Sequence, residues 1–243
     1  MPLYERSLAI NEKAFGAWHD RTATSLNNIA ELHRLMGNYE RALPLFLRAL
    51  AVRERALGPD HPRTGSSLNN LAQLYRSTGA YNRAMPLYER SLAIDEKASG
   101  AEHPDTAKSL NNLALLYEAM GAYDRALPLY ERSLAINEKA LGAGHDRTAT
   151  ALNNIAEFYR AMGDHARALP LYERSLAIRE SALGADHPRT STSLNNLGEL
   201  YRTMRAYDKA LPLLQRALAI DERTLGACAT CRSRRWSMKA TGT

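Results

Sequence analysis

The sequence predicts an all-α fold: a right-handed α-solenoid of helix–turn–helix repeats with about eleven helices. Three observations carry the prediction. A proline recurs at Pro2, Pro44, Pro86, Pro128, Pro170 and Pro212. An asparagine pair recurs at Asn27-Asn28, Asn69-Asn70, Asn111-Asn112, Asn153-Asn154 and Asn195-Asn196. A glycine recurs at Gly16, Gly58, Gly100, Gly142, Gly184 and Gly226, and all three series step by 42 residues. Self-similarity at such a period marks units that cannot bury their apolar faces alone and must stack.

Within a unit the apolar spacing is helical. Leu68, Leu71, Ala72 and Tyr75 fall at i, i+3, i+4 and i+7, one stripe of a helix. This predicts a helix A over about Thr64 to Thr78. Gly79 follows, where a left-handed C-terminal residue belongs. Ala84, Leu87, Tyr88, Ser91 and Leu92 form a second stripe, predicting a helix B over about Tyr81 to Ser99 that Gly100 ends. A longer loop, GAEHPDT in this unit, offers Pro104 and Asp105 to start the next helix A. The proline of each LPLYER segment sits in the first two turns of helix B. There it removes a backbone hydrogen bond and bends the helix, so it shapes the stack.

The segment LNNLAxLY in helix A, the following Gly and Tyr, and the small Ala72, Ala84 and Ser91 at close-packing positions resemble the tetratricopeptide repeat. The 42-residue unit with LGxDHPxT between repeats is similar to the repeats of kinesin light chain and of bacterial proteins like it. The resemblance covers residues 1–226: a half repeat, 1–20, then five 42-residue units. It implies that helix A lines a concave face where a protein or peptide is held.

A longer period overlies the first. RSLAINEKAFGAWHDRTATSLNNIAE, from Arg6, matches RSLAINEKALGAGHDRTATALNNIAE, from Arg132, better than its neighbours. Both carry His-Asp where the second, third and fifth loops carry His-Pro, which suggests duplication of a three-repeat block. Met1 falls in register with Leu43 and Met85 inside helix B, and LGA at 225–227 leads into no further loop. The array therefore reads as an excerpt of a longer one, with natural truncation as the alternative, and 227–243 as a basic, disordered tail.

The candidate working surface lies on helix A. An Asn amide offers donor and acceptor, so it can bracket a peptide backbone whatever the peptide's side chains. The second Asn of each pair, Asn28, Asn70, Asn112, Asn154 and Asn196, matches the family position that contacts ligand backbone. Asn69, Asn111 and Asn153 also stand as candidates, with a structural role between helices as the competing reading. One turn on lie Arg34, Arg76, Arg160 and Arg202, with Glu118 in the middle repeat. Glu31, Glu157 and Glu199 precede three of these arginines at i−3, so a self-paired solvated face competes with an acidic-peptide site. The chaperone-tail clamp of some tetratricopeptide proteins needs Lys or Arg where this chain has Asn, which disfavours that function.

Other features count against chemistry. His19, His61, His103, His145 and His187 stand one per loop, a repeat apart, and do not converge as metal ligands must. They read as loop-capping or packing residues. Cys228 and Cys231 form a lone CxxC without the second pair zinc needs. There is no Gly-rich phosphate loop, nucleophile elbow or HExxH. No enzyme activity, metal or cofactor is expected. The net charge is +6, but Arg232, Arg234, Arg235 and Lys239 supply four of those charges, leaving two on the repeats. Nucleic acid is therefore not an expected partner. No run approaches the roughly 20 apolar residues of a membrane helix, so no membrane is expected either. With a cysteine-free body and no leader, a cytoplasmic scaffold for a protein or peptide ligand is the leading reading. A sensor array from a larger signalling protein and end-to-end self-association are the alternatives.

Overall fold

The computed structural model describes the backbone of residues 2–240 and the side chains of residues 2–224. Eleven helices and no strand are found among them: α1 (Pro2–Phe15), α2 (Asp20–Leu35), α3 (Tyr39–Leu57), α4 (Pro62–Ser77), α5 (Tyr81–Ser99), α6 (Pro104–Ala119), α7 (Tyr123–Leu141), α8 (Asp146–Ala161), α9 (His165–Leu183), α10 (Pro188–Thr203) and α11 (Tyr207–Ala240). Helix α1 stands in B register, and five A–B pairs follow. The chain divides into two compact units, Met1–Ile136 and Asn137–Thr243.

Each helix A starts on the histidine of its loop. His19, His61, His103, His145 and His187 are N-caps in extended backbone, and the Nδ1 of each accepts the backbone N–H two residues on. The accepted bonds measure 3.0–3.2 Å. This satisfies one of the N–H groups that a helix start leaves unpaired. The threonine three residues after each histidine donates back to the carbonyl of the glycine that ends the preceding helix B, as Thr64 does to Gly58 at 2.8 Å. The loop is thereby closed on itself, which explains why glycine, histidine and threonine recur together.

The A–B turns require a left-handed residue. Gly37, Gly79, Gly121 and Gly163 take φ between 73° and 77°, and Arg205 occupies the fifth turn at φ 60°. An L side chain there is strained by about 1 kcal/mol. Arg205→Gly is expected to stabilise the chain by up to about 1 kcal/mol in urea unfolding; a destabilised variant would show that the arginine side chain supports the turn.

Small residues set the packing distance. Ala72 and Ala84 are fully buried, with Tyr88, Leu113 and Leu116 around them. Ser91, Ser133 and Ser175 hydrogen bond to carbonyls of their own helix A, at Gly65, Ala107 and Ala149, over 2.7–2.9 Å. On the outer face of the B helices a second ladder runs at the repeat step. Arg48, Arg90, Arg132, Arg174 and Arg216 pair with Glu12, Glu54, Glu96, Glu138 and Glu180 of the preceding helix B, at 2.5–2.7 Å. These side chains are half exposed, so each pair adds well under about 1 kcal/mol, and their value lies in register.

The three-repeat period has a physical cause inside the stack. In the first unit Arg53 of α3 is buried, and its guanidinium reaches Asp20 at 3.2 Å, Ser67 Oγ at 3.0 Å, Thr24 Oγ1 at 3.1 Å and the Arg63 carbonyl at 3.0 Å. Arg63 closes on the other oxygen of Asp20. In the second unit Arg179 repeats the arrangement with Asp146 at 3.3 Å, Ser193, Thr150 and the Arg189 carbonyl, and Arg189 again closes on the aspartate. The His-Asp loops are thus those whose aspartate receives a buried arginine from the following helix B. Burial pulls the Arg53 and Arg179 guanidinium groups below their ordinary pKa, and Asp20 and Asp146 oppose that pull.

Helix α11 departs from expectation. It runs to Ala240, whereas the sequence suggests an end near Gly226. In α3, α5 and α9 the matching glycine turns to φ 95–100° and a capping histidine follows. After Gly226 no histidine or proline follows, so nothing in the sequence stops the helix. The expected basic tail and its Cys228 and Cys231 lie outside the residues whose side chains are described.

Candidate functional site

In the first unit α2, α4 and α6 present the Asn pairs and the residues one turn on. The two members of a pair differ. Asn27 and Asn69 are only 5% exposed. Asn27 Nδ2 donates to Ser67 Oγ of α4 at 3.0 Å. Asn69 Oδ1 accepts from Asn112 Nδ2 of α6 at 2.7 Å. In the second unit Asn153 Oδ1 accepts likewise from Asn196 at 2.9 Å. Helix α6 is therefore stitched to α4, and α10 to α8, by an amide bond from the second Asn of one repeat to the first Asn of the repeat before. Helical geometry explains it: residues one apart diverge by about 100°, so only one of two consecutive amides can face outward squarely. Asn28 is exposed, while Asn70, Asn112, Asn154 and Asn196 are half buried. Asn111 and Asn154 also hold polar contacts. A second Asn that donates one N–H across the stack keeps its carbonyl and its other N–H.

One turn on, the arginines divide into two kinds. Arg34 makes a bidentate pair with Glu31 at 2.6 and 2.7 Å, and that bond raises its pKa. Arg202 pairs with Glu199 at 2.7 Å. Arg160 pairs with Glu157, which also accepts from the Tyr172 hydroxyl at 2.5 Å. In the middle repeat Glu118 itself accepts from Tyr130 at 2.6 Å. Four repeats thus supply their own carboxylate to this position.

The repeat of α4 and α5 does not. Gln73 stands where Glu31, Glu157 and Glu199 stand elsewhere. Among the described residues no carboxylate pairs with Arg76, and its Nε is buried without an acceptor. Tyr88 is 1% exposed, and its hydroxyl has no hydrogen-bond partner. Burial pushes the Tyr88 phenol up, and the guanidinium of Arg76, close enough to interact with the hydroxyl, opposes that together with Arg34. A buried donor left unmade costs about 1–3 kcal/mol, and these two groups lack the carboxylate that the other repeats place at this position.

Glu157 shows what a carboxylate does there. Burial drives its pKa up, but hydrogen bonds from Arg160 and Tyr172 outweigh burial and leave it below the ordinary value. Stability from a depressed acid is present above the unfolded pKa and lost as pH falls through the folded one. Glu157→Gln is therefore expected to cost about 1 kcal/mol at pH 7, and the gap should close below about pH 4 in pH-dependent urea unfolding. A gap unchanged down to pH 2 would show that Glu157 is not held as the anion.

Among the described residues no group of three or more metal-ligating side chains occurs, and no helix is long and apolar enough to cross a membrane.

Comparison with known proteins agrees with this architecture. A family described as Tetratricopeptide repeat matches residues 2–53, 21–97, 81–139 and 147–223. No curated protein matches by sequence. Among solved structures the chain is similar to BtubC (BKLC) from P. vanneervenii, at 25% identity and TM-score 0.73, covering 93% of this chain and 91% of that one. It is also similar to a kinesin light chain-type protein of nearly identical TPR-like repeats from Podosopora anserina, at 29% identity and TM-score 0.65, covering 85% and 98%. The Rap protein complexed with Competence and Sporulation Factor shares the fold at 15% identity and TM-score 0.68, over 90% of this chain and 62% of that one.

Proposed function

The chain belongs to the tetratricopeptide repeat family, a protein-interaction fold, and from that premise we propose that it holds an extended, acidic protein segment along its A helices. The Arg76–Tyr88 site carries the reading. Every other repeat from α2 to α10 fills the arginine position with a carboxylate of its own; this one leaves a buried guanidinium nitrogen and a buried hydroxyl unmatched. An Asp or Glu of a partner would accept from both, as Glu157 accepts from Arg160 and Tyr172. Asn70 and Asn112 would bracket the partner's backbone, Asn112 with the carbonyl and the N–H that its bond to Asn69 leaves over. Arg160 and Arg202, already paired, contribute charge without a vacant bond.

Two substitutions separate a carboxylate site from a generally basic surface. Arg76→Gln removes the donor. Gln73→Glu supplies the carboxylate from within, copying Glu157. Each is expected to weaken an acidic peptide selected on the chain by about tenfold in fluorescence anisotropy, a loss near 1.4 kcal/mol. The joint change of Asn70 and Asn112 to Ala should weaken acidic and neutral peptides alike. Unchanged capture by these variants, with an intact helical spectrum, would reject the groove.

End-to-end stacking stands as a second reading on one observation. Tyr4 of α1 is 45% exposed, whereas its counterparts Tyr88, Tyr130 and Tyr172 are 1% exposed, and Leu3 and Ile10 lie open beside it. That face is apolar and uncovered in this chain, and a preceding helix or a second copy would cover it. Light scattering that stays monomeric over a wide concentration range would reject this.

A further inference from the structure

The buried arginines of the stack point to a site where one is missing. The helix B position held by Arg53 is held by Asp95 one repeat later. The cleft there, between α4 and α6 above α5, encloses about 210 Å³. Its counterpart one repeat earlier is filled by the Arg53 guanidinium, which rests on Thr24 Oγ1, Ser67 Oγ and the Arg63 carbonyl. At the 42-residue step these become Ser66, Ser109 and the carbonyl of Asp105, and Ser66, Ser109 and Asp105 line the cleft. Even the hydroxyl settings match. Thr24 donates to the carbonyl four residues back at 3.1 Å, and Ser66 does the same at 3.2 Å, so each keeps lone pairs for a cation.

Asp95 alters the charge. Its carboxylate is half buried and accepts from Ser109 Oγ at 2.5 Å, and among the described residues it makes no ion pair. Burial raises its pKa, and the Ser109 bond only partly offsets that. The cations at the rim do not fill the cleft: Lys108 is exposed and makes no ion pair among the described residues, and Arg63 is committed to Asp20. The cleft therefore keeps the oxygen lining that holds a guanidinium one repeat away, gains a carboxylate, and has lost the guanidinium.

We propose that this cleft binds the guanidinium of an arginine side chain belonging to a partner protein, seated among Asp95, Ser66, Ser109 and the Asp105 carbonyl as Arg53 is seated in its own cleft. Guanidinium suits the site better than ammonium. Its planar fork can meet a carboxylate and flanking hydroxyls together, whereas an ammonium is a strongly hydrated point charge. This site lies apart from Arg76 and needs no acidic segment.

The test uses the full chain and small probes. Nα-acetyl-arginine amide is titrated in, followed by backbone NMR, against Nα-acetyl-citrulline amide, which keeps the shape and loses the charge. Saturable shifts confined to the amides around Ser66, Asp95 and Ser109 are expected with the arginine probe, with at least tenfold weaker binding of citrulline. Asp95→Asn should weaken the arginine probe at least tenfold, and Asp95→Arg, which fills the cleft from within, should abolish its binding. Equal binding of the two probes, equal binding by Asp95→Asn, or shifts spread over the surface would overturn the proposal. Ser109→Ala gives a second variant should Asp95→Asn disturb the helical spectrum, with at least a threefold weakening expected and none overturning it. Because the probe carries no side-chain carboxylate, failure here leaves the Arg76 site standing, and failure there leaves this one.

Discussion

Replacing Arg53 with Ala is expected to lower the stability of the chain by about 3 kcal/mol, read by urea unfolding at pH 7. Asp20 is only 7% exposed and would keep just one cation, the exposed Arg63. Ser67 would also lose the guanidinium donor. The cost comes from breaking the set, because buried ion pairs gain little over water when whole but leave a costly charge when halved. The sequence offers a matched control. Residues 62 and 95 are Pro and Asp where residues 20 and 53 are Asp and Arg. The double variant Asp20→Pro with Arg53→Asp imports that solution and is expected to lose less than Arg53→Ala alone. A loss under about 1 kcal/mol for Arg53→Ala would show that the buried cluster does not hold the repeats together.

The second large effect is expected at Leu110. It is fully buried in α6 among Ala107, Ile136, Leu92 and Leu129. Leu110→Ala should cost about 3 kcal/mol, the lost transfer energy plus that of the cavity left behind. In a stack that is stabilised by nearest-neighbour contacts, such a loss in the middle weakens coupling between its two sides. The unfolding transition is therefore expected to broaden as well as shift, with a lower denaturant slope in urea. A sharp transition, shifted by less than about 1 kcal/mol, would mean that neighbouring side chains close the gap.

Much of the fold was legible in the sequence because the repeat prints every local rule several times. Helix B over Tyr81–Ser99 was readable from Ala84, Tyr88 and Ser91 at helical spacing and from Gly100, and the structure has those bounds. Helix A begins two residues before the expected Thr64, since His61 caps it and Pro62 opens it. The spacing of the loop histidines leaves capping and packing open, and the structure makes them caps. What was not legible joins distant residues. Arg53 lies beside Asp20 only after α2, α3 and α4 have packed, and in the sequence it is one charged residue among many near a helix end. The His-Asp loops at 19–20 and 145–146 were visible as a three-repeat period, but their arginine partners at 53 and 179 were not linked to them. The outer ladder, such as Arg90 on Glu54, has a constant offset of 36 residues and could have been found by pairing opposite charges at that lag. The candidate site was half legible. The i−3 spacing of Glu31, Glu157 and Glu199 offers self-pairing on helix A as one of two readings, and the structure has those pairs. The hydroxyl of Tyr88, which comes from helix B and makes the Arg76 position distinct, has no signal on helix A at all.

The measurement that tests the scaffold reading most directly is a parallel display selection. A random peptide library is panned on the wild-type chain and on the Gln73→Glu variant, whose own carboxylate would satisfy Arg76 and Tyr88. Wild type is expected to enrich peptides with an Asp or Glu at a fixed position, and the variant is expected to lose that residue from its consensus while still enriching extended peptides. An identical acidic consensus on both, or no enrichment on wild type, would contradict the account.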